Sequence, residues 1–550
     1  MSKKVFLSIT LFIILFSCKI LFADTIPGGD VSGTWYAANS PYYIMGDITI
    51  PADSTLTIEP GVVVEFQNYT FLRINGFLEA IGGEADSILF TGTAWMGLDF
   101  RNAPDSSHLT YCIVQNVEDL VSPLYGGITC YNCNPVISHC RISNNQGHSE
   151  LWGAGGIMLY NSNADISWCN ISGNTIDNYY GGTGGGIKIS GCHPTITGCD
   201  IIGNDGDLRG GGIDMFGSSS LIITNCTITG NVCSPVGWIV GGGGIASQGS
   251  DMTITECTIS HNVGSGYGGG GICISGGSAV VTSCTIDSNS APYEGPGGGI
   301  YADCDSLLVD HCTFVDNSPG DQSMVIGWAI HTEGNTALLL TNSIVQGRNV
   351  TLDRLIGLFG ASASISYSDF YQYRDAFVGN LPPGLGGLTQ VNANGDSCDV
   401  YYNIFMDPLF VDYANADYHL QETSPCIDAG DPTSPYDPDS TITDMGRYYY
   451  DQTGIEEISA RASTDCCCLS CLPNPCKSSA KIQFSLPVPS RVNLSVYDIS
   501  GRLVLTLASG QYEPGIHEAT LDASELSSGV YFYRLGASEF TVIKKVVITK

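Results

Sequence analysis

The chain has 550 residues, 54 of them Asp or Glu against 21 Lys or Arg, which gives a net charge of −33. Such a surface repels nucleic acid and any polyanionic polysaccharide not bridged by a cation, so a phosphate backbone is excluded as a partner. The 68 glycines suit a chain rich in turns, and the 22 cysteines raise the question of disulfides. No second segment is apolar enough to span a bilayer.

Residues 1–23 have the layout of a signal peptide: Lys3 and Lys4, an apolar run from Val5 to Phe16, and a small residue, Ala23, before Asp24. Leu15-Phe16-Ser17-Cys18 also reads as a loose lipobox, so an outer-membrane lipoprotein anchored through Cys18 is the alternative. Residues 24–110 alternate short apolar runs with turn formers, as in DITIPADSTLTIEPGVVVEF, and are read as an end cap and first coils.

Over 111–410 one frame recurs. Cysteines at 112, 140, 169, 199, 226, 257, 284 and 312 stand 27 to 31 residues apart, and Ser343 and Ser368 continue the series in degraded form. Five residues after seven of them comes an asparagine: Asn145, Asn174, Asn204, Asn231, Asn262, Asn289 and Asn317. A Gly-Ile pair precedes each of those cysteines at a nearly constant distance, so length varies only between an asparagine and the next Gly-Ile. In the rigid half three short alternating runs are separated by turn formers such as Gly191, Pro194 and Gly198, and none is long enough for a helix. A fixed period of this kind predicts a solenoid whose coils stack at about 4.8 Å.

This frame, from roughly Ile44 to Phe410, resembles the right-handed parallel β-helix of carbohydrate-binding and sugar-hydrolase repeat proteins. The resemblance implies an all-β fold with two inward files, one from Ile137 through Ile196 to Val309, the other from Ile142 through Ile201 to Phe314. The asparagines are then expected to stack amide to amide in a turn, a structural role. The cysteines, pointing inward beside isoleucines and all in the same direction, are expected to pack as small hydrophobes rather than pair as disulfides.

Chemistry is sought on the variable loops, which alone can change without breaking the stack. Their aromatics and acids, Trp152, Tyr179, Tyr180, Trp238, Tyr267, Tyr293 and Glu294, suit a neutral glycan lying on rings with its hydroxyls on carboxylates; roofing of the core edge is the plain alternative. Glycoside hydrolysis needs two carboxylates about 5–9 Å apart. Asp205 and Asp207, with Asp177 or Asp214 one coil away, are the candidates. Lys188 and Asp214 share an outward column near Arg209, read as a cross-strand ion pair before a lyase site. No metalloprotease, nucleophile-elbow or phosphate-loop motif occurs.

Residues 411–455 form an acidic exit segment expected to cap the solenoid. Asp437, Asp439 and Asp444 can supply oxygen ligands to calcium, though Asp-rich turns look the same; no cofactor is otherwise required. Residues 456–471 form a polar linker, and Cys466, Cys467, Cys468, Cys471 and Cys476 are read as lying where no core exists, open to adventitious disulfides or zinc. From 472 to 550 alternating strands return. LPNPC, VNLSVYDISGRLVLTL, GIHEATLDASELSSGVYFYRL and KKVVITK resemble the type IX secretion C-terminal sorting domain, an immunoglobulin-like sandwich related to the FlgD-like domain. The resemblance implies type IX machinery as a partner and an extracellular or cell-surface destination. The whole reads as an exported carbohydrate-binding or adhesive β-helix, with a polysaccharide-degrading enzyme acting on its loop face as the alternative.

Overall fold

A computed structural model describes residues 24–452 and 469–548, apart from 68, 119–125, 148–152, 177–181, 234–240, 265, 267, 292–294, 320–326, 349–352, 473–475, 477–478, 487–488, 499–501, 513–514, 525, 528 and 538–539. Two units separate at residue 450. In the first, three parallel sheets run the length of a β-helix. Each coil contributes one strand to each: Ile187–Ser190 to sheet 1, Thr195–Thr197 to sheet 2 and Asp200–Ile202 to sheet 3. The sheets hold 14, 13 and 14 strands, starting at Asp24–Ile26 and ending at Asp375–Gly379. Regular coils begin at the first described residue, within the stretch read as an end cap and first coils.

The register follows the repeat. Ile137, Ile166, Ile196, Ile223 and Ile254 align strand to strand, as do Ile142, Ile171, Ile201, Ile228 and Ile259. All are fully buried. Each such side chain contributes roughly 1.5–3 kcal/mol relative to exposure. In the coil of Ile187 the corners are turned by Gly191, Gly198 and Gly203, with φ of 65°, 63° and 61°, which glycine adopts without steric cost. The glycines before Ile187 have another cause: a Cβ on Gly185 would stand 2.4 Å from the backbone of Asp205, one coil on.

Each corner carries a polar ladder. Between sheets 3 and 1, Asn231 Nδ2 donates to Asn262 Oδ1 (3.0 Å) and to the Ile201 carbonyl (2.9 Å), while its Oδ1 accepts from the backbone and side-chain amides of Asn204. This asparagine ladder runs from Asn145 to Asn317. Between sheets 2 and 3 the cysteines do more than fill space: the Cys199 N–H donates to Cys226 Sγ (3.3 Å), whose thiol donates back to the Thr224 carbonyl (3.4 Å). Ser343 and Ser368 continue that ladder with hydroxyls, and Asn403 ends it. Between sheets 1 and 2, Ser107, Ser162, Cys192, Ser219, Ser250 and Thr336 do the same work with mixed residues. All 17 described free cysteines are buried.

The exit segment does not stop at the last coil. It doubles back along sheet 3 as a strap, burying Phe410, Tyr418, Leu420, Cys426 and Met445 against Val315 and Ile344. Asp431 N donates to Asn342 Oδ1 (2.7 Å) and Thr443 Oγ1 meets His311 Nε2 (2.7 Å). Farther back, Arg447 reaches the Cys257 carbonyl (3.0 Å), Thr258 Oγ1 (2.8 Å) and Thr285 Oγ1 (3.0 Å).

The second unit holds two antiparallel sheets. Leu469–Leu472, Ser479–Leu486 and Gly515–Asp522 form one; Leu503–Tyr512, Ser490–Asp498, Gly529–Ala537 and Phe540–Ile548 form the other. Alternation places Ile482, Phe484, Val492, Leu494, Val496 and Leu535 in the core. Cys476 belongs to that core, fully buried, and Cys471 sits in a strand paired with Ile482. This corrects the reading of both as residues of a coreless linker: the sandwich begins earlier than its hydrophobic alternation suggests. Cys466, Cys467 and Cys468 lie outside the described residues. Among the described residues no helix is long and apolar enough to cross a membrane.

Candidate functional site on the outer face of sheet 1

Alternation sends every second side chain of a sheet 1 strand outward: Ile187 and Ile189 enter the core and Lys188 points away. The outward file runs in register through Asp99, Thr129, Met158, Lys188, Asp214, Cys273, Tyr301 and His331. It faces away from the core yet is buried, because the glycine-rich entries fold over it. A Cβ on Gly184 would come 2.8 Å from Lys188 Cβ, and one on Gly210 2.6 Å from Asp214 Cβ.

Three polar stations punctuate the file. At the first, Asp99 holds Arg73 (2.8 Å) and Arg101 (2.9 Å), and Arg101 lies 5.4 Å from the Tyr131 ring, which stacks on Tyr160 at 4.9 Å. At the second, Lys188 and Asp214 are direct register partners, and Arg209 forms an ion pair with Asp214 (2.9 Å). Lys188 Nζ stands 5.6 Å from the Phe216 ring, and burial lowers its pKa to about 8, against the pull of Asp214.

The third station combines a carboxylate with aromatic rings. Tyr301 donates to Glu333 Oε2 (3.0 Å), and the Gly327 N–H donates to His331 Nδ1 (3.1 Å). That bond makes Nδ1 an acceptor, so His331 carries its proton on Nε2 and donates it to Glu333 Oε1 (3.2 Å). The His331 bond, and then the Tyr301 bond, hold the Glu333 carboxyl below the usual glutamate range. The imidazole is sandwiched between Tyr301 (6.0 Å) and Phe359 (5.1 Å). Glu333 keeps 46% of its side chain exposed and Phe359 is 38% exposed, so a fixed, ionised acceptor and an open ring face solvent together. Asp303, exposed one rung before Glu333, lies against Gly334, where a Cβ would stand 2.1 Å from its Oδ1.

Of the sequence candidates, Asp205 is half-buried and accepts the Asp207 N–H (3.1 Å). Asp207 is itself buried with φ 51°, and Asp214 is buried against Arg209. These three are brought to one loop and strand, with the first two engaged by their own turn. Asp177, Trp152, Tyr179, Tyr180, Trp238, Tyr267, Tyr293 and Glu294 lie outside the described residues. Asp437, Asp439 and Asp444 sit on the strap. Asp437 accepts the Asp444 N–H (2.8 Å), Asp439 the Thr441 N–H (3.1 Å) and Asp444 the N–H groups of Asp428 (2.7 Å) and Tyr450 (2.6 Å). Among the described residues no three His, Cys, Asp or Glu side chains gather to hold a metal ion. Sequence reasoning missed Tyr301, His331, Glu333 and Phe359. The signal was there as a break in the frame, since the usual Gly-Gly-Ile becomes Trp328-Ala329-Ile330.

Comparison with known proteins agrees with this architecture. The family model "Right handed beta helix region" matches residues 97–241 and 155–368, and "Secretion system C-terminal sorting domain" matches 470–549. No curated protein matches the chain. Among solved structures, pectate lyase Pel9A is 12% identical, with 74% of this chain and 88% of that one covered at a TM-score of 0.27. The chain is therefore a right-handed parallel β-helix repeat protein that ends in a type IX secretion sorting domain and is destined for export.

Proposed function

We propose that the exported β-helix is a carbohydrate-binding module and that the outer face of sheet 1 takes a neutral glycan. One observation carries this reading: Glu333, fixed by Tyr301 and His331, stands beside the open ring of Phe359. A preorganised carboxylate accepts two sugar hydroxyls without reordering, and an exposed ring takes the apolar face of a pyranose. The charge of −33 disfavours polyanionic chains.

A second reading, hydrolysis, would use the carboxylates of Asp303 and Glu333 on successive coils of sheet 1, since glycosidases act with a pair of carboxyl groups. Incubating the full chain with soluble neutral polysaccharides, and measuring both retention and reducing-end release, separates the two. Retention without release is the expected result. Release abolished by Glu333→Gln would make the protein an enzyme.

A further inference from the structure

Besides its member of the cysteine ladder, the coil that begins with Ile128–Tyr131 carries two more cysteines, Cys130 and Cys133, in the order Cys-Tyr-Asn-Cys. Cys130 points inward from its sheet 1 strand, where the coils before and after have Phe100 and Leu159. Cys133 follows across the corner between sheets 1 and 2, where the next coil has Ser162, whose hydroxyl donates to the Cys133 carbonyl. That next coil repeats neither cysteine, and the one after it, with Ile189 and Cys192, repeats only the second.

The fold brings the two sulfurs to one place. Between them the chain bends at Asn132, whose φ of 53° is a left-handed state that asparagine tolerates. Cys130 stacks in register on Phe100, and the Cys133 thiol donates to the carbonyl of that same Phe100 (3.8 Å). Both side chains are buried, and the two thiols share a hydrogen bond that lowers the pKa of Cys133 and raises that of Cys130. Cys133 is thus the thiol that ionises first, and a thiolate is the form that exchanges with disulfides. The ladder cysteines are poorly placed to pair, because in-register neighbours point the same way. Cys192, at the same corner as Cys133, lies two coils on, about 10 Å away at the strand spacing and beyond the roughly 7 Å that a bridge spans.

We infer that Cys130 and Cys133 are joined by a disulfide in the exported protein, closing the first corner of their coil. The co-reactant is a disulfide donor of the oxidising compartments through which an exported chain passes. The Cys133 thiolate attacks one donor sulfur, forming a mixed disulfide and releasing the other donor sulfur as a thiolate. The Cys130 thiolate then attacks the Cys133 sulfur and expels the second donor thiolate. The protons lost by Cys130 and Cys133 end on the donor, so two thiols and one disulfide become one disulfide and two thiols. Since both sulfurs are enclosed in the folded coil, the exchange precedes the stacking of the coils around it.

The test is a disulfide map of the full chain after export into an oxidising compartment. The protein is unfolded in guanidinium with iodoacetamide and no reductant, then digested with trypsin and read by tandem mass spectrometry. The tryptic peptide 102–141 holds Cys112, Cys130, Cys133 and Cys140. Cys112 and Cys140 should be alkylated, while Cys130 and Cys133 should be unlabelled and together two hydrogens lighter than the dithiol. Reduction before alkylation should label all four. In Cys133→Ser, mapped in the same unfolded state whatever its stability, Cys130 should become fully alkylated. Labelling of all four cysteines without reductant would overturn the inference, as would a link from Cys130 or Cys133 to Cys112, Cys140 or Cys192.

Discussion

The corners and the outer face of sheet 1 are built on the same coils, and they treat repetition oppositely. At the asparagine corner one residue type recurs from Asn145 to Asn317, each buried and bonded to the next. Along sheet 1 the outward file changes at every rung, from Asp99 through Met158 and Lys188 to Tyr301 and His331. A stack needs partners that each give and receive along the axis, which the asparagine corner meets by repeating one amide and the Ser/Cys/Thr corner by exchanging residues of the same capacity. A recognition face needs different ones, since a ligand is told apart by where particular groups stand. A hydrogen-bonding role kept from coil to coil therefore marks what holds the solenoid, and a change of that chemistry along the outward file marks where the solenoid can act.

That contrast can be broken at the ladder first. Asn231→Ala removes donors to Asn262 Oδ1 and the Ile201 carbonyl and strands the Asn204 amide. Destabilisation of about 3 kcal/mol, read from the urea midpoint, is expected. Thr227→Ala, on the solvent side of the adjacent strand, should stay within about 0.5 kcal/mol. Coincident midpoints would refute the assignment of the columns.

The next effect belongs to the strap. Burial pushes the carboxyls of Asp369 and Asp444 up to about 7, and Asp369 lies under the strap beside Cys426. The folded state holds these protons more tightly than the unfolded chain, whose aspartates titrate near about 3.9. Their contribution to stability is thus complete below that value and is lost as pH rises towards 7. The melting temperature should be higher at pH 5 than at pH 8, and Asp369→Asn should flatten that slope. An unchanged slope in the variant would assign the pH dependence elsewhere.

A smaller effect sharpens the role of the thiols. Cys226→Ser keeps an acceptor for the Cys199 N–H, as Ser343 already does for Cys312, and should cost about 1 kcal/mol or less. Cys226→Val, similar in size but without an acceptor, should cost more. Equal unfolding midpoints would mean that the cysteines act only as packed hydrophobes.

Much of this fold was legible in the sequence because the β-helix writes its geometry into spacing. The inward isoleucine files and the asparagine ladder follow from residues at fixed offsets, and the sorting domain from the motifs by which it resembles its family. The Ser/Cys/Thr ladder was not legible, since the hydrogen-bonding role persists while the residue changes. Nor was the strap: Arg447 meets Cys257 across 190 residues, and no local pattern announces such a contact. Lys188 and Asp214 were placed on the right outward column, but their burial was not legible, because alternation tells which way a side chain points and not what folds over it. The Tyr301, His331 and Glu333 station arises from residues on neighbouring coils that only the register brings together.

The central claim, that the ladder holds and the sheet 1 face binds, is tested most directly by one paired measurement. Urea midpoint and retention on a neutral polysaccharide are determined for Asn231→Ala and Phe359→Ala at a temperature where both are folded. The account predicts that Asn231→Ala lowers the midpoint and keeps retention, while Phe359→Ala keeps the midpoint and loses retention. Phe359→Ala lowering the midpoint with retention intact would contradict it.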